Sequence, residues 1–280
     1  MILAILHSTI RKEEKLIADA AGKKNIRVKL IDIRDLIFNL ATYAEEFDIA
    51  LERSVSTVKG TYAVEFLESL GKKVVNSLAV TRNCIDKFTT SLLLERAGIP
   101  TPSFSLVFSL PQAAQAVEEM GGFPVVIKPP LGSWGRLLAK VNDMDALEAV
   151  LEHKDVLGTP PQKAFYIQEF IPKQGRDIRA FVVDGRTICA IYRESSHWIS
   201  NTARGATTSN CPVTAELHDI CGRASDAVGG GLLAVDLFDN EGKLLINEIN
   251  HTMEFKNSEE PTGVSISGAI VDYCRRKLEE

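Results

Sequence analysis

Asp236, Glu248 and Asn250 carry oxygen donors at spacings that suit a hard divalent cation. Glu248 and Asn250 stand two apart in the apolar run Leu244 to Asn250, so as strand residues they share a face. Asp236 sits in the preceding apolar run, and residues 239–243, Asp-Asn-Glu-Gly-Lys, read as a hairpin turn that sets the two strands side by side. Mg²⁺ takes such a set: a few carboxylate or amide oxygens, with phosphate and water completing an octahedron. A hairpin with polar residues on its solvent face fits Glu248 and Asn250 equally well. The apolar residues around all three favour the metal reading, because a buried carboxylate needs a charge partner.

Other residues suit phosphate and nucleotide. Lys128 leaves an apolar strand beside Pro129-Pro130 and a loop bearing Gly132 that runs to Arg136, a candidate phosphate cradle; a solvated surface turn is the other reading. Lys87 opens a helix whose positive end adds to any attraction for anions. The run Gln168-Glu-Phe-Ile-Pro172 ends a strand, where backbone groups are free for a base edge, unless it is an edge strand stopped by Pro172. Asp177 and Arg179 follow closely, and Arg193 is a guanidinium candidate to hold a transferring phosphoryl group. The polar stretch from His197 to Gly205 suits a substrate loop, with His197 as a candidate base or a packing histidine. The remaining histidines lack metal-ligand spacing, and neither a Gly-x-Ser-x-Gly elbow nor a P-loop occurs.

These residues need elements to hold them. Apolar runs alternate with charged helical stretches from Ile2 to Asn76, which implies a parallel sheet covered on both faces. No Gly-x-Gly-x-x-Gly follows the first strand, so this Rossmann-like unit is not read as a dinucleotide site. Residues 86–98 form an amphipathic helix ended by Gly98, and Pro100 and Pro102 force an extended connector. Helices over Gln112–Met120 and Met144–His153 then pack on a short sheet containing Val125 to Lys128 and Leu137 to Val141. Strands dominate from Ala164 onward, with helices over Thr214–Val228 and Ile266–Leu278. The division expected is 1–85, 86–162 and 163–280.

The chain has 280 residues, 45% hydrophobic and 25% charged, enough for two or three modules with their own cores. A net charge of -5 disfavours nonspecific nucleic-acid binding. The five cysteines are scattered and never in a Cys-x-x-Cys pair, which disfavours a disulfide framework or a zinc site. With no signal peptide and no apolar run long enough for a bilayer, a cytoplasmic protein without membrane contact is expected.

Taken in order, these candidates resemble the ATP-grasp ligases over the whole chain. The resemblance implies an α/β and α+β architecture: an N-terminal Rossmann-like (pre-ATP-grasp) domain, a small central lid domain and a C-terminal domain with the metal site. Within that superfamily, the runs Gly132 to Lys140, Asn201 to Gly205 and Asn247 to Ser258 look like the LysX family. Those ligases join 2-aminoadipate to the C-terminal glutamate of the small acidic carrier protein LysW in lysine biosynthesis. By that resemblance Lys87 and Lys128 would hold ATP phosphates, under a loop of Gly132, Ser133, Trp134, Gly135 and Arg136. Glu169, Phe170 and Ile171 would bind adenine, with Asp177 near the ribose and Arg179 also at the nucleotide. Asp236, Glu248 and Asn250 would hold two Mg²⁺ ions. Arg193 and Asn201 would be catalytic, and with His197, Thr202, Ala203, Arg204, Glu254, Phe255, Lys256, Asn257 and Ser258 would meet the acyl phosphate and amino acid. Asn257-Ser258 matches the Asn-Thr/Ser pair associated with aminoadipate, where glutamate-using ArgX relatives carry Gly-Phe. One departure is Ala206, where a second glycine is expected. A homo-oligomer, dimer or tetramer, is implied too. The alternatives are a glutamate–LysW ligase of ArgX type, a bifunctional enzyme, a RimK-like glutamate ligase, and a non-catalytic ATP-binding protein, which the complete ligand set disfavours.

Overall fold

A computed structural model describes residues 1–132, 137–159, 163–200 and 205–280. The chain begins β1 (Ile2–His7), α1 (Lys12–Lys23), β2 (Arg27–Asp32), β3 (Ile49–Glu52), α2 (Thr57–Ser69) and β4 (Lys73–Val75). The four strands form a parallel sheet in the order β2-β1-β3-β4. Leu3 and Ile5 of β1 face one core while Ala4 and Leu6 face another, as a strand covered on both sides requires.

Next come α3 (Leu78–Ile85), α4 (Lys87–Arg96), β5 (Phe104–Val107), α5 (Leu110–Glu119), β6 (Val125–Lys128), β7 (Ala139–Val141), α6 (Met144–Leu157) and β8 (Phe165–Glu169). Asp86 caps α4 by accepting from the Thr89 amide at 2.8 Å, and Gly121 and Gly122, both at positive φ, close α5. A sheet in the order β5-β8-β6-β7 packs α5 and α6 through Val117, Ile127, Leu147 and Ile167. The strand at Phe165–Glu169 therefore joins the central sheet, although the sequence division put it in the C-terminal unit. It also lies between β5 and β6, so it is an interior strand and not an edge stopped by Pro172.

The remainder is β9 (Arg176–Val183), β10 (Arg186–Glu194), β11 (Thr207–Cys211), α7 (Ala215–Val228), β12 (Leu232–Asn240), β13 (Lys243–Asn250), α8 (Glu259–Thr262) and α9 (Ile266–Glu279). An antiparallel sheet in the order β11-β10-β9-β12-β13 results. The expected hairpin is present: Glu241 and Gly242 take φ of 54° and 86°, and the Gly242 amide donates to Asp239 Oδ1 at 2.9 Å. One face of this sheet packs α7. The other face shares a core with α1, β1 and α9, so the last helix lies between the first sheet and the third. None of the described helices is long and apolar enough to cross a membrane.

Candidate active site

The central sheet and the five-stranded sheet face one another across a cleft lined from both. On the five-stranded side, strand register builds a row of charge. Arg193 of β10 lies opposite Asp177 of β9, Arg179 of β9 opposite Asp236 of β12, and Asp236 opposite Glu248 of β13. Arg179 grips Asp236 bidentately, at 2.7 and 2.8 Å. Arg193 donates to Asp177 at 2.6 Å and reaches Asp236 at 3.2 Å. Lys173 adds a contact to Asp177 at 3.2 Å and to Ser200 Oγ at 2.8 Å. Burial alone would raise the Asp236 carboxyl, but the guanidiniums of Arg179 and Arg193 outweigh it and hold the group below the usual carboxylate range.

Asn247 enters this row through a backbone irregularity. Pairing shifts after Asp236–Glu248, so that Leu237 faces Ile246 and Asn247 is an extra residue on β13. The bulge turns Asn247 toward the cleft beside Glu248, where strict alternation would have sent it the other way. Its Oδ1 accepts from Lys128 at 2.9 Å, and Gln168 of β8 accepts from the same ammonium at 2.6 Å. Lys128 is only 6% exposed. Desolvation drives it down to about 7, against the opposing pull of Glu248. Lys173 is lowered as well, burial outweighing Asp177. The cleft lining holds six basic side chains (Arg11, Lys87, Lys128, Lys173, Arg179, Arg193) against five carboxylates (Glu169, Asp177, Asp236, Glu248, Glu254), so with Lys128 protonated one positive charge is in excess in a desolvated place. A polyphosphate would relieve it.

Lys87, at the first position of α4, donates to the carbonyl of Gly132 at 2.7 Å, and its own amide donates to Pro130 O at 3.0 Å. The helix start and the loop after β6 are thereby tied together. Phe170 and Ile171 line the cleft just past β8; Lys140 sits 3.8 Å over the Phe170 ring and Trp198 meets it edge-on at 6.4 Å. The Glu169 amide is already bonded to Ser103 O at 2.9 Å, which leaves the backbone beyond it for a base edge.

Asp236, Glu248 and Asn250 do share one region of the cleft, as their spacing implied. Asn250 Nδ2 is buried without a hydrogen-bond partner among the described residues. Among the described residues no group of three His, Cys, Asp or Glu side chains could hold a metal, so this set supplies two carboxylates and an amide. That suits Mg²⁺, which keeps water and substrate phosphate in its remaining positions. The cation would share Asp236 with two guanidiniums.

Several expected residues are placed differently. Asp177, assigned to the ribose, has both oxygens taken by Arg193 and Lys173, so it is a member of the charge row. His197 is exposed and outside the cleft wall, and its Nδ1 accepts from the Ile199 amide at 3.0 Å, which removes the lone pair a base would use. Glu254 lines the cleft, whereas Phe255 is a core residue and Lys256 and Asn257 are exposed away from it. Ser258 is buried where α8 begins. Ser133, Trp134, Gly135, Arg136, Asn201, Thr202, Ala203 and Arg204 lie outside the described residues. Sequence reasoning missed Lys173 and Arg11, and gave Gln168, Trp198 and Asn247 no role of their own although each lies in a run it singled out. Lys173, a cation four residues before Asp177, offered a signal; Asn247, dependent on the bulge, offered none.

A desolvated cluster of cations beside a pair of carboxylates, set between two sheets, is the equipment of phosphoryl transfer. Residues 3–83 match the LysX preATP-grasp domain and residues 84–274 the RimK-like ATP-grasp domain. The chain is 32% identical over 286 residues to the glutamate–LysW ligase ArgX of Sulfurisphaera tokodaii, covering 100% of both chains. It is also 32% identical over 286 residues to the alpha-aminoadipate–LysW ligase LysX of that organism, covering 100% of this chain and 99% of that one. Among solved structures, a RimK domain ATP-grasp protein from Sphaerobacter thermophilus superposes with a TM-score of 0.80 at 25% identity, over 98% of this chain and 100% of that one. The D-alanine–D-alanine ligase of Bacillus anthracis, complexed with ATP, shares the fold, with a TM-score of 0.72 at 18% identity over 100% and 97%. Fold and site thus define an ATP-dependent ligase that forms carbon–nitrogen bonds. The chain belongs to the RimK-like ATP-grasp family, whose members use ATP and Mg²⁺, and it carries a LysX-type preATP-grasp domain.

Proposed function

We propose that the enzyme joins the α-amino group of 2-aminoadipate to the γ-carboxylate of the C-terminal glutamate of a LysW-type carrier protein. The support is twofold: relatives named alpha-aminoadipate–LysW ligase match 94–100% of the chain, and the cleft gathers six basic side chains where a triphosphate would lie. The charge row carries the mechanistic part of the reading.

In the first step a carboxylate oxygen attacks the γ-phosphorus of ATP, and ADP leaves. Lys128 and Lys87 are the groups to hold the phosphates, from the end of β6 and the start of α4. Arg193 and Arg179 face the transferring group and offset the charge that develops on its oxygens. Asp236, Glu248 and Asn250 would hold Mg²⁺, one ion or two. Bound there, Mg²⁺ would neutralise phosphate charge. In the second step the amine attacks the acyl carbon and phosphate leaves; the residues above keep that phosphate paired as it departs. Water must be excluded, and the β5–β8 sheet covers the cleft from the opposite side.

A second reading, glutamate as the amino acid, has a specific basis: the ArgX and LysX relatives are equally similar, at 32% identity. Asn257-Ser258 matches aminoadipate-using relatives in residue types, while both residues lie outside the cleft lining. The deciding experiment supplies purified enzyme with ATP, Mg²⁺, LysW and both amino acids in competition. Conjugation of aminoadipate with kcat/KM at least about tenfold above glutamate is expected, a gap of about 1.4 kcal/mol. Comparable values overturn the assignment.

A further inference from the structure

The segment from Thr252 to Lys256, which follows the proposed metal strand directly, is held at every residue by the N-terminal domain. Thr252 Oγ1 donates to Glu52 at 3.3 Å, and Arg53 Nη1 donates to the Met253 carbonyl at 2.7 Å. Arg11 pairs with Glu254 at 3.2 Å, and the Arg53 guanidinium lies 5.9 Å from the centre of the Phe255 ring. The Lys256 amide donates to Glu13 at 3.3 Å, and its carbonyl accepts from Lys12 at 3.0 Å. All the gripping groups come from two places, the first turn of α1 with its cap Arg11 and the end of β3.

Arg53 is the centre of this clamp. It is 2% exposed, and one arm binds Glu14 at 3.0 Å while another holds Met253. Glu14 in turn accepts from the Arg11 amide at 2.7 Å and from Arg11 Nη2 at 2.9 Å, which orients Arg11 toward Glu254. Arg53 Nη2 has no hydrogen-bond partner among the described residues. A buried ion network with an orphan donor is a poor way to gain stability, since well-packed apolar residues would do as well or better. What it does supply is a fixed geometry: a planar fork with two arms committed allows one position of the Met253 carbonyl relative to α1. Thr252 and Glu254 of that segment, with His251 just before it, line the cleft, and Arg11 and Ser54 line it too.

We infer that Arg53 is a positioning residue for acceptor choice: through Met253 it fixes the cleft-lining segment against the N-terminal domain and so sets selectivity between acidic amino acids of different length. The inference rests on the proposed ligase reading for its substrates. Arg53→Lys keeps the charge but cannot bridge Glu14 and Met253 together. It is expected to raise the KM for aminoadipate about tenfold and to change the aminoadipate-to-glutamate kcat/KM ratio at least about threefold, with the KM for ATP within about twofold of the original. An unchanged ratio and amino-acid KM overturn the inference. Should Arg53→Lys fail to fold, Glu14→Gln/Arg53→Gln, which removes both charges of the Arg53–Glu14 pair together, takes its place.

Amide hydrogen exchange gives a readout independent of turnover. In the unaltered enzyme, aminoadipate with a non-hydrolysable ATP analogue should slow exchange over residues 252–256 and 52–54 together; slowing of the first stretch alone overturns the clamp. An unaltered enzyme that conjugates neither amino acid to the carrier defeats the ligase reading, while the exchange of 252–256 in the Arg53 variant still tests the contact.

Discussion

Lys128 is where the site's electrostatics can be measured. Enclosed by Gln168 and Asn247 and desolvated, its ammonium titrates at about 7 in the free protein, far below an ordinary lysine. A bound triphosphate favours the charged form, so the bound value lies above the free one. Below pH 7 the group is protonated in both states and nucleotide affinity is flat with respect to this residue. Above pH 7 the free enzyme loses the proton and binding must restore it, so affinity falls with rising pH, by up to about tenfold per unit, until the bound value is passed. Calorimetry of ATP-analogue binding at pH 8, in two buffers of different ionisation enthalpy, should report uptake of close to one proton per site. Lys128→Met should abolish most of that uptake. Uptake unchanged in the variant would assign the proton elsewhere, with Lys173, also lowered by burial, the next group to test.

Elements have to meet at fixed points, and the junction at Asn76 is one. Beyond β4, its Nδ2 donates to Leu232 O at 2.8 Å and His251 O at 2.6 Å, and its Oδ1 accepts from the Leu232 amide at 2.7 Å. One side chain thus ties the first sheet to the start of β12 and to the residue after β13. Gly231 makes room for it. Its φ is +97°, and an added Cβ would collide with Asn76 Oδ1, which those bonds hold in place. Gly231→Ala should therefore cost about 2–4 kcal/mol by chemical denaturation, from positive-φ strain and the clash together. A loss under about 0.5 kcal/mol, the range of a neutral surface change, would mean that the junction yields freely. The same scale explains what was readable in advance. Gly98 marked the end of α4 and Gly242 the β12–β13 turn because those signals are local, whereas the Ser109 cap that starts α5 two residues before the expected Gln112 went unread. The metal-type donors were legible because period-two spacing is a local rule as well. Pairing partners were not: β8 carries nothing in its own residues that says it lies between β5 and β6, and the bulge that turns Asn247 inward follows from β12 lying opposite. The clamp on residues 252–256 joins positions 200 to 244 residues apart, such as Arg53 and Met253 or Arg11 and Glu254, which periodicity cannot pair.

At the scale of the whole molecule, α9 decides how many units unfold. Ile266, Ile270, Val271, Tyr273 and Cys274 are buried in a core that also contains Leu3 and Ile5 of the first sheet and Phe181, Val183 and Ile191 of the third. The end of the chain thus completes the core of its beginning, and the first and third sheets should lose structure together. The cysteines provide a probe. All five are free and buried, and burial pushes Cys84, Cys221 and Cys274 up to about 12 and Cys189 to about 11. Thiols so protonated and enclosed react through opening of the structure. Ile270 is 1% exposed, and Ile270→Ala should destabilise by about 2–5 kcal/mol through the cavity it leaves. If one cooperative unit spans both sheets, the variant should accelerate labelling of Cys274 in α9 and of Cys189 in β10 by the same factor, with Cys221 in α7 following. Acceleration confined to Cys274 would show instead that α9 detaches alone, leaving the first and third sheets joined through Asn76 and Arg53.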